Sequence, residues 1–279
     1  MPDFDDLRLR ADDPVPPPPP PPPAEPASRF PLLPGREMRL GEILSTGFRA
    51  FFGMLPKMLL GFLLVYGATN LVVALIPFEE ILPYETLEDV ARAIRAENKV
   101  SRALDNLFGV VAVLAAVLAT SHVLAGRTLS ARAAFRGAVS RWLPLLWTGF
   151  LAGIILLAFT LLLVIPGLIW GVYYTFFVPV VAFGLSGTAA LAESKRLVKG
   201  NWWRTLGCLF VINLVAFAMT LPGIFVSIAF NLATADSEPG FAYEAVDYLT
   251  NVYFDVASLF APVATAVFFL NRRSVVDAR

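Results

Sequence analysis

Apolar positions along this chain of 279 residues fall into long blocks, and polar positions collect in the gaps between them. Leu59–Ile76, Leu107–Ser121, Leu143–Ile165, Leu168–Phe183, Thr205–Leu221 and Ser258–Leu270 are almost free of charge. A helix needs about 20 apolar residues to cross a bilayer core, and the shorter blocks reach that length with neutral neighbours. The apolar runs are continuous, whereas a membrane β-barrel alternates apolar and polar residues. The pattern therefore predicts an all-α, polytopic membrane protein with six transmembrane helices.

A longer period overlies the blocks. Leu40 and Pro77, Leu129 and Pro166, and Leu185 and Pro222 are each separated by thirty-seven residues. Each leucine opens a basic, half-apolar stretch, and each proline follows Ile or Leu. This predicts three parallel repeats, each an interfacial helix followed by a helical hairpin. The interfacial segments are Arg39–Lys57, Ser130–Arg141 and Ser186–Gly200, each with a basic face and an apolar face. Ser130 is placed to cap the second, and Gly200 to end the third, because glycine tolerates positive φ. Ile165-Pro166-Gly167 joins spans three and four almost directly. Pro222-Gly223 predicts a long, bent fifth span, since proline removes an intrahelical hydrogen bond. Phe177-Val178-Pro179 is echoed by Phe260-Ala261-Pro262 in the descending spans, and Leu87–Ala103 predicts a short helix outside the membrane.

Charge gives the blocks a direction. The chain is 57% hydrophobic and 16% charged, with a formal net charge of zero. Eighteen of its 22 Lys and Arg residues fall on one side of a six-span topology. The other side holds the acid-rich stretch from Glu79 to Asp105 and the Asp236, Glu238, Glu244, Asp247 group. Basic residues in short loops mark the cytoplasmic face, so both termini are expected there, in a bacterial-type inner (plasma) membrane. The opening Met-Pro-Asp-Phe-Asp-Asp lacks the basic and apolar pattern of a secretory signal. Residues 1–34 form a cytoplasmic tail carrying eight consecutive prolines, Pro16–Pro23, an extended rod of about 25 Å. It reads as a spacer or as a ligand for a proline-binding module. Residues 35–273 form the transmembrane domain, and residues 274–279 a C-terminal cytoplasmic tail.

Catalysis requires acids, bases, nucleophiles or metals gathered together. This chain has one histidine, His122, and one cysteine, Cys208, with no metal-ligand spacing and no phosphate-binding or nucleophile-elbow motif. The expectation is a protein that is not an enzyme, with no cofactor and no metal. Ionisable residues inside the blocks are nearly absent, which argues against an ion-coupled pump. Asp255, near the acidic end of span six, is the exception and reads as facing water. Asn70, Asn213 and Asn251 read as interhelical hydrogen-bond partners. The Gly149/Gly153 and Gly167/Gly171 pairs suit close helix contact, within the chain or in a homo-oligomer.

The order Ile165-Pro166-Gly167-Leu168-Ile169-Trp170, Phe177-Val178-Pro179, Ala190-Leu191-Ala192-Glu193-Ser194 and Leu197-Val198-Lys199-Gly200-Asn201-Trp202 resembles the membrane domain of the glycerophosphoryl diester phosphodiesterase family. The resemblance covers about Arg36 to Arg273 and implies a stand-alone membrane domain without the catalytic one. Two positions depart from it. Phe183-Gly184 stands where a glutamate is common, and Glu193 where an arginine is common.

The basic helices are the strongest functional surface, since each Lys or Arg near an anionic leaflet contributes about 1 kcal/mol. Arg132, Arg136, Lys195, Arg196 and Lys199 are the candidate lipid or partner surface. Pro166, Gly167, Pro179, Gly200, Pro222 and Gly223 are the structural hairpin and packing positions. The expected role is organisation of membrane lipids or recruitment of a protein partner, with no nucleic acid involved. The alternatives are a permease or efflux component, or a membrane subunit of a lipid-processing enzyme.

Overall fold

The charge-free blocks become helices long and apolar enough to cross a membrane six times, in a chain that has no strand among its described residues. The computed structural model describes residue 33 and residues 36–76, 86–127, 130–234 and 241–278. The elements are α1 (Leu40–Ala74), α2 (Leu87–Leu104), α3 (Val110–Leu124), α4 (Ala131–Leu162), α5 (Val164–Tyr173), α6 (Phe177–Ala182), α7 (Gly187–Val198), α8 (Trp202–Ala233), α9 (Phe241–Ser258) and α10 (Phe260–Asp277). A π-helical turn, Asp105–Gly109, joins α2 to α3, so the expected external helix runs straight into span two. The proline-rich tail, Leu129, Pro77 and the Asp236–Glu238 stretch lie outside the described residues.

Helix ends follow local chemistry. Ser130 Oγ accepts the Ala133 amide at 3.3 Å, and Gly200 ends the α7 region at φ +81°. Thr86 and Asp89 close a reciprocal cap on α2. The Glu42 carboxylate turns back on the Arg39 amide at 2.8 Å and is gripped by both ends of the Arg36 guanidinium.

Two of the three expected interfacial helices are not separate elements. Arg39–Lys57 is the first part of α1, and Ser130–Arg141 the first turns of α4. Only Ser186–Gly200 stands as its own helix, α7. The junction residues account for the difference. Pro56 and Pro144 sit inside helices without ending them, whereas Gly200 takes a left-handed conformation and stops α7. The contacts of α1 require a bend. Gly47 lies against Ala264, with its Cβ position 3.2 Å from that methyl, and Asn70 bonds Asp255 at 2.7 Å. The stretch from 47 to 70 would be about 34 Å long if straight, while its partners at 255 on α9 and 264 on α10 are at most about 14 Å apart along the chain even if those helices were collinear.

The fourth span is broken. After α5, residues 174–176 leave the helical ladder before α6 begins. Ser194 of α7, fully buried, repairs the gap by donating to the Tyr173 carbonyl at 2.7 Å and accepting the Phe176 amide at 3.0 Å. Pro179 falls in the first turn of α6, where a missing N–H leaves no carbonyl unserved. Pro166 occupies the equivalent place in α5, after the single extended residue Leu163 that makes the α4–α5 turn. Gly167 is obligatory there, because a Cβ would come 2.3 Å from Thr160 Oγ1 and 3.2 Å from Thr160 Cα. The tip of this hairpin is wholly apolar and outward: Leu161, Leu162, Leu163, Val164 and Ile165 are all exposed.

The core is built round α10. Phe260, Val263, Ala264, Ala266, Val267, Phe268, Phe269 and Leu270 are buried on every side, as a helix apolar all round must be. Phe176 meets Phe268 and Phe269, and Phe48 and Phe51 meet Phe260. By contrast α4 and α8 turn Phe150, Leu157, Phe210 and Phe217 outward. The last helix runs on to Asp277, so the C-terminal tail begins as helix.

Candidate functional site

The five candidate cations divide into two groups. Arg132 and Arg136 are exposed on the first turns of α4 and form no ion pair among the described residues. Lys195 lies 4.4 Å above the Trp170 ring, and Arg196 is committed to a fork on Glu193 at 2.7 and 2.8 Å with Asp277 at 3.3 Å. Lys199 is exposed just beyond α7. The Arg196 fork holds the Glu193 carboxyl below the ordinary glutamate range, against the opposing effect of burial. The observed α4–α7 contacts run through Thr148, which accepts the Gly187 amide at 2.8 Å, and through Ala152 and Leu191. Thr148 is about 18 Å along the helix from Arg136. No contact given by the structure draws the two groups into one cluster.

Sequence reasoning missed a closed polar clamp nearby. Arg272, 2% exposed, donates to Glu37 Oε1 at 2.6 Å and to the Leu197 carbonyl from Nη2 at 3.0 Å. Arg204 pairs with the other Glu37 oxygen at 2.6 Å and donates to the Met38 carbonyl at 2.6 Å. Asn271 takes the Met38 amide at 3.0 Å and donates to the Arg36 carbonyl at 2.9 Å. Residues 36–38 are thereby fastened to the ends of α7 and α10 and the start of α8. Counting charge by side registered Arg204 and Arg272 only as topology markers.

The opposite end carries a second polar group. Asp255 is half-buried and accepts from Asn70 Nδ2 at 2.7 Å, so it does not simply face water. The same amide donates to the Tyr66 carbonyl at 2.9 Å, and Tyr248 donates to the Gly67 carbonyl at 3.0 Å. Of the three asparagines expected to link helices, Asn70 does so. The side-chain amides of Asn213 and Asn251 donate instead to Leu209 and Asp247 of their own helices. An amide on an exposed helix face satisfies itself one turn back unless a neighbour is in reach.

Between α8 and α9 lies an apolar pocket of about 290 Å³ lined by Pro222, Gly223, Val226, Val246, Leu249, Thr250 and Tyr253. Tyr253 donates to the Met219 carbonyl at 2.6 Å, serving the helix backbone beside Pro222. Gly223 admits the α9 aromatics, since a Cβ there would come 2.7 Å from both Phe254 and Tyr253. Of the expected glycine pairs, Gly167 makes a close contact within the chain and Gly149 an ordinary one with Phe177. Gly153 meets nothing within 4 Å.

These features define a six-span, all-helical integral membrane protein with a clamped basic end and a polar acidic end. No family model, no curated protein and no solved structure matches the chain.

Proposed function

We propose that this is a non-enzymatic membrane protein that organises anionic lipid at its basic end, in a bacterial-type inner membrane with both termini cytoplasmic. The observation that carries this reading is the set of exposed cations Arg132, Arg136 and Lys199. They have no ion-pair partner among the described residues, and Arg132 and Arg136 sit on a helix whose next turns point Val139, Leu143 and Trp147 outward. An anionic headgroup completes such a cation while its acyl chains cover the apolar turns. Lys195 and Arg196 contribute less, because Trp170, Glu193 and Asp277 already engage them. The likeness of Ile165–Trp202 to the phosphodiesterase-family membrane domain belongs to the same proposal, as a domain acting on lipid organisation without the hydrolytic reaction.

The test is mass spectrometry of lipids retained after purification in lipid discs. The triple variant Arg132→Gln, Arg136→Gln, Lys199→Gln is expected to lose anionic phospholipid relative to the wild type. Arg196→Gln is expected to retain it. Equal retention by the triple variant and the wild type overturns the proposal.

A further inference from the structure

We infer that the cavity between α8 and α9 is a binding slot for one acyl chain of a membrane lipid whose headgroup carries an amine. Two ties between these helices set its length. Towards the acidic loop, the Phe230 and Tyr243 rings meet with centroids 6.1 Å apart. At the inner end Tyr253 reaches the Met219 carbonyl, and Gly223 lets the α9 aromatics close in. Between the ties the helices stand apart and leave the space of about 290 Å³.

The lining selects hydrocarbon. Its two polar side chains, Thr250 and Tyr253, spend their hydroxyl protons on backbone carbonyls, Thr250 on that of Val246 at 2.7 Å and Tyr253 on that of Met219. The slot therefore offers no free donor, and an ordered water needs two to four polar partners. Its mouth lies among the exposed Pro222, Val226 and Leu249, so a ligand enters sideways, from the bilayer. Pro222 and Val226 lie about 30 to 36 Å along α8 from Trp202, an aromatic of the kind that anchors at an interface, and the hydrocarbon core is about 30 Å thick. The slot thus sits near the far boundary between acyl chains and headgroups. A second copy of the chain fits it poorly. A stable protein interface takes about 20–30 residues a side, and this concavity is lined by seven.

The rim selects the headgroup. Asp247 is exposed beside Val246, accepts from Asn251 at 3.1 Å and forms no ion pair among the described residues. No Lys, Arg or His occurs on α8 beyond Arg204, or anywhere on α9. A headgroup ammonium complements such a rim, whereas a net anionic headgroup meets like charge. The slot is therefore distinct in place and in lipid preference from the basic end.

The test uses the full chain in lipid discs containing phosphatidylethanolamine or phosphatidylglycerol with the same diazirine-bearing acyl chain. After illumination, labelled peptides are mapped by mass spectrometry. The expected result is labelling within residues 222–226 and 246–253, stronger with the ethanolamine lipid. Val226→Trp sets an indole across the mouth and is expected to cut labelling of these stretches more than about tenfold. Asp247→Asn is expected to keep the labelling and lose the headgroup preference. The variant Arg132→Gln, Arg136→Gln, Lys199→Gln is expected to label like the wild type, so failure of lipid binding at the basic end is read separately. Wild-type labelling that misses both stretches, or that is equal for the two lipids, overturns the inference and needs no variant to fold. So does undiminished labelling in a folded Val226→Trp, or a dimer that covers both stretches.

Discussion

At the basic end, Arg272 is enclosed by Glu37 and the Leu197 carbonyl, and Arg204 shares the same glutamate. At the acidic end, Asp255 has a neutral amide, that of Asn70, for a partner. Both ends hold polar groups against an apolar bundle, but one is internally complete and the other is short of positive charge. The difference teaches what each end is suited to do. A complete clamp fixes the chain, because breaking a buried ion pair leaves its partner uncompensated. An acid held by a single neutral amide fixes the chain less firmly.

Arg272→Ala carries the largest expected effect. It is expected to destabilise the protein by about 3 kcal/mol in denaturant titrations, since the Leu197 carbonyl loses its donor and Glu37 is left with Arg204 alone. A loss as small as that of a surface arginine would show that the clamp is not structural. Gly223→Ala should come next. It drives a methyl into Tyr253 and Phe254, and overpacking of this kind costs about 1–3 kcal/mol. It would show that the acidic end is held by side-chain fit rather than by ion pairs. Asp255→Asn is expected to change stability by less than about 1 kcal/mol, because interhelical hydrogen bonds in membranes are worth little each. The smallest effect is a pH dependence at Glu193. Its carboxyl is held below its ordinary value of 4.5 in the folded protein. The stabilisation it gives is therefore present above that value and is lost as pH falls through and below it. Melting curves taken from neutral to acidic pH should decline less in Glu193→Gln than in the wild type.

Much of this architecture is written in the order of the residues. The six blocks, the Ser130 cap, the Gly200 stop and the near-direct α4–α5 turn all depend on local chemistry and near neighbours. The unreadable parts depend on distance. The apolar stretches of α8 and α10 look alike in composition, yet α10 is enclosed and α8 faces outward, because bilayer and protein interior select the same side chains. Arg272 and Glu37 meet across 235 positions, which no local pattern announces. Asp105 looked like one more acid in a charged loop. Its place depends on the π-turn, which sets it beside Tyr66 across Gly109. The thirty-seven-residue spacing anticipated where basic segments precede spans. It did not reveal that two of those segments run on through Pro56 and Pro144 into their spans as single helices.

The apolar tip of the α4–α5 hairpin has a consequence for biogenesis. A conventional loop carries polar side chains that the insertion machinery must move across the hydrocarbon layer. From Leu161 to Leu168 this turn carries none. Nothing hydrophilic beyond its own few backbone groups has to be translocated. The third and fourth spans therefore have no hydrophilic side chain between them to oppose their entering the bilayer together.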